Sequence, residues 1–253
     1  MAKRAKKTDC SKPPCKTEGK CCDEKKKQVE KCCPGDKGCP DTQFESADAL
    51  RSHAAVTKYH AERRSLSKKA KPQAGVTKPL SDAECYHKRK CVLHPYKDTE
   101  GEPSKCCKAQ TGHHLVPDKA LSRTGFCYDH GSALTVCVAG SGNRVGNHGR
   151  IHNRLCKKIR GSGSISFSAM LSAGVAAAKE VLKESDCDWK CLQQEVDKNH
   201  KDMGKDDRGK PRTDCQPLKD GSQIDRNCGI SNPGTDQKLD DSFDTVTAYI
   251  TGP

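Results

Sequence analysis

Apolar residues are sparse at both ends of this chain, and their spacing changes across its middle. Strand-like runs occur at residues 114–116 and at Leu134-Thr135-Val136-Cys137-Val138, the second alternating as a half-buried strand does. A turn, Ala139-Gly140-Ser141-Gly142-Asn143, then gives way to a different period. Ile151, Leu155 and Ile159 recur at i, i+4 and i+8, which predicts a helix over about residues 146–160 with a core-facing stripe. Asn147 has the side chain of an N-cap at its start. Gly161-Ser162-Gly163-Ser164 is a flexible joint. Beyond it the pattern predicts an alanine-rich helix over about residues 168–184 and another over about 186–200 carrying Trp189 and Leu192.

The flanks read differently. Residues 1–40 contain Cys10, Cys15, Cys21, Cys22, Cys32, Cys33 and Cys39 among lysines, with almost no large apolar side chains. They cannot build a hydrophobic core, and their spacing matches no paired C-x2-C zinc pattern. They read as a flexible basic leader, with a small disulfide- or metal-knotted module as the alternative. Residues 41–71 form a helix that is polar nearly all round, and Pro72-Gln73-Ala74-Gly75 with Pro79 marks a linker. From Met203 the chain is charged and rich in Gly, Pro and Asp, so residues 203–253 are expected to be mostly irregular, ending in a strand-like stretch at 246–250. The expected division is a leader and polar helix over 1–75, a domain over 80–202 and a charged segment over 203–253. The mix of strands and helices makes the class α+β.

Composition narrows the function classes. Of 253 residues, 32% are hydrophobic and 4% aromatic, so the core must be small. The net charge of +13 is uneven: residues 175–253 carry 12 Lys/Arg against 16 Asp/Glu, leaving 34 against 17 in residues 1–174. A basic N-terminal two-thirds suits a polyanionic partner, most simply nucleic acid, although solubility alone explains such a charge equally well. No run of 18 apolar residues provides a membrane span. The start, Met1-Ala2-Lys3-Arg4-Ala5-Lys6-Lys7, has no apolar stretch behind it and is not read as a signal peptide. Eighteen cysteines, an even number with several adjacent, nonetheless suit disulfides in an oxidising compartment. Export by a dedicated machine reconciles the two.

The chemistry lies in the histidines. His113 and His114 sit at the first strand-like run, and His148 and His152 lie one helical turn apart on the predicted helix. Neighbouring strand residues point to opposite faces, so His113 and His114 cannot do the same job. One can bind a metal with His148 and His152 while the other faces substrate, which is the division an open hydrolytic site needs. A lone H-x-x-x-H is a weak signal; the two pairs together carry the weight. Arg150, Arg154, Lys157, Lys158 and Arg160 place positive charge on the same helix, suited to a DNA backbone or simply to a solvated face.

Gln110-Thr111-Gly112-His113-His114-Leu115-Val116-Pro117, followed by Tyr128-Asp129-His130-Gly131-Ser132-Ala133 and Val136-Cys137-Val138, resembles the GHH-signature toxins of the HNH/endonuclease VII nuclease superfamily. His148-Gly149-Arg150-Ile151-His152 is similar to that family's H-G-x-x-H turn, and Cys91-Val92-Leu93-x-Pro95-Tyr96 and Cys106-Cys107 share its character. The resemblance covers roughly residues 80–200. It implies a ββα-metal (HNH, His-Me finger) nuclease core with additional helices, a divalent ion (Mg, Mn, Zn or Ni) and cleavage of DNA. It also implies secretion from a producer, typically through a type VI secretion apparatus, action in the target-cell cytoplasm, and a cognate immunity protein. By position, His113 would be a metal ligand, His114 the general base, and His148 and His152 the rest of the metal shell. Asn143 and Asn147 are both candidates for the middle Asn that orients the base. Family members often carry a PAAR-like tip domain, which residues 1–75 do not resemble.

Two readings from other classes stand beside this one. A noncatalytic nucleic-acid-binding module with a structural zinc would use four protein ligands and cleave nothing. A cysteine-knotted secreted interaction protein would have most of its 18 thiols blocked, with the histidines incidental.

Overall fold

The computed structural model describes residues 88–100, 104–107, 110–139, 143, 146–182 and 187–230, together with Lys26 and Cys33. The leader apart from those two residues, the polar helix over 41–71, the linker near 75–80 and the strand-like stretch at 246–250 lie outside the described residues.

Within them the architecture is mixed α+β. Strands β1 (Leu93–Pro95), β2 (Gln110–His114) and β3 (Leu134–Ala139) form an antiparallel sheet in the order β1–β3–β2. Pro95, which cannot donate to a ladder, falls on an edge strand. β3 is central and differs from its expected half-buried character: Thr135, Val136, Cys137 and Val138 are all fully buried. Val136 and Val138 join the main apolar core. The opposite face is covered by polar and covalent ties: the Thr135 hydroxyl donates to the His94 carbonyl at 3.0 Å, and Cys137 is disulfide-bonded to Cys106. A hydropathy pattern sees only the apolar half of that cover.

The helices follow the predicted periods closely. A short α1 (Asp118–Leu121) precedes β3, and α2 (Gly146–Lys158), α3 (Phe167–Val181) and α4 (Trp189–Asp202) follow it. Ile151 and Leu155 from α2, and Ile159 just beyond it, are buried as the i, i+4, i+8 stripe requires. Asn147 does not cap α2; the helix starts one residue earlier at Gly146, whose φ of 59° favours glycine, so Asn147 falls in the first turn. Real caps are supplied by Ser166, whose hydroxyl accepts from the Ala169 amide, and by Asp188, which accepts from that of Cys191. The alanine-rich face of α3 allows a close approach to the residue after β2. A Cβ on Gly174 would collide with the backbone carbonyl of Leu115.

Residues 203–230 contain little regular structure beyond β5 (Gln223–Asp225), which pairs antiparallel with β4 (Ser164–Ser166). The segment is nonetheless packed onto the core. Leu218 and Ile224 are buried in the main cluster, and the Arg226 guanidinium donates to the carbonyls of Ile159, Arg160 and Ser164. Two disulfides fasten it, Cys127–Cys215 and Cys156–Cys228; Cys91–Cys187 and Cys106–Cys137 cross-link the rest. Closing loops of this size restricts the unfolded chain by about 3–5 kcal/mol per bridge in the chain-entropy account. Among the described residues no cysteine is free. No helix among them is long and apolar enough to cross a membrane.

The packing of α3 on β2 can be tested directly. Gly174→Ala is expected to lower stability by about 1–3 kcal/mol, because a backbone atom must move. Gly221→Ala, whose Cβ would meet nothing within 4 Å, is expected to leave stability close to that of the parent chain. Thermal unfolding of both variants checks this; equal midpoints would show that the α3–β2 contact is not tight.

Candidate metal centre

The register of β2 on β3 sets which histidine faces where. His113 is paired with Val136 and His114 with Thr135, and directly opposed residues share a sheet face. His113 therefore lies on the face of Val136, toward the core and α2, while His114 lies on the face of Thr135. Thr111 shares the His113 side and Gly112 the His114 side. A Cβ on Gly112 would collide with the side chains of Thr99 and Thr135, which explains the glycine in front of the pair.

On the core side, α2 brings His148 and His152 up to His113. The three are buried, and their ligand atoms all lie within 4.8 Å of one another. Ring centroids are 4.8 Å apart from His113 to each partner and 5.1 Å between the helix pair, which stack nearly parallel. The helix histidines are held from behind. His152 donates from Nδ1 to the Cys228 carbonyl at 2.6 Å, so its Nε2 carries the free lone pair. His148 uses Nδ1 on the Thr111 hydroxyl at 2.8 Å. This is how protein groups usually fix the tautomer and ring plane of metal-binding imidazoles.

Two further observations fit a metal. Both ring nitrogens of His113 are buried without a hydrogen-bond partner, and an unsatisfied buried polar group costs about 1–3 kcal/mol. All three imidazoles are also kept neutral, the form that donates a lone pair. Burial is the main cause throughout: it lowers His148 to about 3, lowers His152 to about 4 against the opposing Cys228 bond, and pushes His113 well below its ordinary value. A set of three neutral imidazoles suits zinc, nickel and similar divalent ions and leaves a position for substrate or water. Cys106 and Cys107 are both disulfide-bonded and offer no thiolate to a four-ligand structural site. Among the described residues the cysteines are all disulfide-bonded, and this bonding stands alongside the histidine cluster rather than in place of it.

On the opposite face His114 sits in an aromatic nest. Its ring centroid is 4.7 Å from those of Tyr96 and His130, and its Nε2 donates to the His130 carbonyl at 3.3 Å. That leaves Nδ1 with the free lone pair. Burial, with the neighbouring His130 second, lowers its pKa to about 4. His130 is held in turn by Asp118, Nδ1 to Oδ1 at 3.0 Å.

Among the described residues neither Asn143 nor Asn147 is hydrogen-bonded to His114; Asn143 donates to the Gly229 carbonyl at 3.3 Å, and Asn147 lies half-buried in the first turn of α2. The tie on His114 comes from the main chain of His130. The sequence names that residue only as part of Tyr128-Asp129-His130-Gly131, and a backbone carbonyl leaves no side-chain signature. Four of the five basic residues expected on this helix lie on α2, and Arg160 lies just beyond its end. Arg150 and Arg154 are half-buried, Lys157, Lys158 and Arg160 are exposed, and Lys158 is paired with Glu180 of α3.

The depressed histidines make a pH prediction for the metal-free chain. Their folded pKa values of about 3 to 4 lie below the unfolded value of about 6.5, so the unfolded chain takes up protons first on acidification. Their contribution to stability is full above pH 6.5, is lost as pH falls toward 4, and changes little below the folded values. Chemical denaturation of chelator-treated protein at steps from pH 7.5 to 4 should show this decline; constant stability over that range would contradict the buried, neutral placement.

No protein-family model matches this chain, and no solved structure matches it. A DNase toxin of Pseudomonas aeruginosa, Tse7, is 30% identical to it over an alignment of 148 residues that covers 48% of this chain. The chain spans 37% of that relative's length.

Proposed function

We propose that this protein is a metal-dependent endodeoxyribonuclease toxin built on a ββα-metal core, in which β2, β3 and α2 are the two strands and the helix. The observation that carries the reading is the convergence of His113 from β2 with His148 and His152 from α2, while His114, the next residue on the strand, is held on the other face. The similarity to a DNase toxin supports DNA as the substrate.

His113, His148 and His152 would hold the divalent ion, with Thr111 and the Cys228 carbonyl fixing the two helix imidazoles. Bound there, such an ion would supply Lewis acidity to the scissile phosphate and relief of charge on the leaving oxygen. His114 is the general base: Nε2 is committed to the His130 carbonyl, so Nδ1 accepts the proton of the attacking water. Its low pKa keeps it unprotonated at neutral pH, and proton uptake becomes easier when a phosphate anion lies beside it. The His130 carbonyl, rather than Asn143 or Asn147, orients this base. Arg150, Arg154, Lys157 and Lys158 on α2 and Arg160 just beyond it raise the local positive potential and attract the duplex, with Lys157 and Arg160 contacting backbone outside the scissile position. Delivery into target bacteria by a secretion apparatus, action in their cytoplasm and protection of the producer by an immunity protein belong to the same proposal.

The test is plasmid digestion with and without EDTA. The parent chain should cleave only with a divalent ion present, and His114→Ala should lose about 100-fold or more in rate while still binding metal. His113→Ala should lose both. Robust cleavage by His114→Ala in EDTA would sink the reading.

A further inference from the structure

The segment that closes the metal centre belongs to the irregular part of the chain. Cys228 lies 76 residues beyond His152, yet its carbonyl accepts a hydrogen bond from His152 Nδ1 at 2.6 Å. The same residue is disulfide-bonded to Cys156, one helical turn beyond His152 on α2. The next residue, Gly229, has φ 85°, and a Cβ there would come within 2.5 Å of His152 Cε1 and 2.7 Å of its Nδ1. One side of the His152 ring is therefore fixed by two consecutive residues, and the covalent tie sits on the residue whose carbonyl does the fixing.

We propose that Cys228 is a positioning residue of the metal centre and that the Cys156–Cys228 disulfide sets its affinity for a divalent ion. This rests on the three-histidine reading above. The disulfide holds residue 228 in register with α2, so that its carbonyl meets the imidazole at the correct height and Nε2 is turned toward His113 and His148. Other ties secure the neighbourhood without setting that register. Arg226 bonds the carbonyls at the C-terminal end of α2 and the joint after it, and Asn143 reaches the Gly229 carbonyl. Without the bridge, the carbonyl is released to solvent, and His152 loses both its tautomer lock and its ring orientation. Loss of such an outer partner costs about 10–100-fold in metal affinity.

Cys127–Cys215 is the natural control. It ties the same irregular segment to the core over a sequence separation of 88, against 72 for Cys156–Cys228, but touches no histidine of the cluster. Loss of either bridge loosens the unfolded chain to a similar degree; only one loss should reach the metal.

The experiment measures zinc affinity of the full chain by competition with a chromophoric chelator, with circular dichroism as the check on folding. The parent chain should bind one zinc ion. Cys156→Ser/Cys228→Ser should weaken it by about 10–100-fold, and Cys127→Ser/Cys215→Ser should stay within about twofold. Gly229→Ala, which leaves the disulfide intact but drives a Cβ into the His152 ring, should weaken zinc as well and decides the matter if the Cys156 variant does not fold. Parent-like affinity in the Cys156→Ser/Cys228→Ser chain, or in Gly229→Ala when that chain is unfolded, overturns the proposal, as does equal loss in both disulfide variants. No zinc binding by the parent chain overturns the three-histidine reading itself, which is a different result from parent binding that survives loss of the bridge.

Discussion

Three imidazoles buried at contact distance constrain everything around them. An imidazole brings one donor and one acceptor into a place without water, and each must be met or the fold is destabilised. The protein meets only part of this demand: Thr111 and the Cys228 carbonyl take one nitrogen each from the helix pair, and His113 receives nothing. The arrangement makes physical sense when the remaining lone pairs share a cation. The surrounding structure serves it, with β3 fixing the register of β2, α3 pressing against the residue after β2, and the 226–229 segment closing over α2.

The pleat of β2 then divides two kinds of chemistry between adjacent residues. His113 faces α2 in a wholly buried environment suited to a ligand. His114 faces Tyr96 and His130, where a main-chain carbonyl fixes its tautomer and leaves the lone pair of the other nitrogen free. A slip of one residue in the β2–β3 register would exchange the two roles. Gly112 makes that slip costly, since only a glycine fits between Thr99 and Thr135.

How much of this was legible in the sequence depends on the kind of interaction involved. Helix α2 and its histidine pair were readable because apolar side chains at i, i+4 and i+8 announce a period, and the opposite facing of His113 and His114 follows from strand geometry alone. The burial of β3 on both faces over residues 135–138 was not readable, because one face is covered by a threonine hydroxyl and a disulfide rather than by apolar side chains. The part played by residues 203–230 was invisible for the same reason: Cys215, Cys228 and Arg226 bind through a covalent bond and through main-chain carbonyls, and neither leaves a hydropathic trace. The hydrogen bond from His114 to the His130 carbonyl was not readable either, because a main-chain carbonyl can come from any residue type.

If the three buried histidines are the protein ligands of one ion, the coordination shell of a bound metal must show it. X-ray absorption of the zinc-loaded chain reads that shell. It should show three imidazole nitrogens at about 2.0–2.1 Å, with oxygen filling the remaining coordination and no sulfur. A thiolate shell at about 2.3 Å, or a zinc surrounded by oxygen alone, would contradict it.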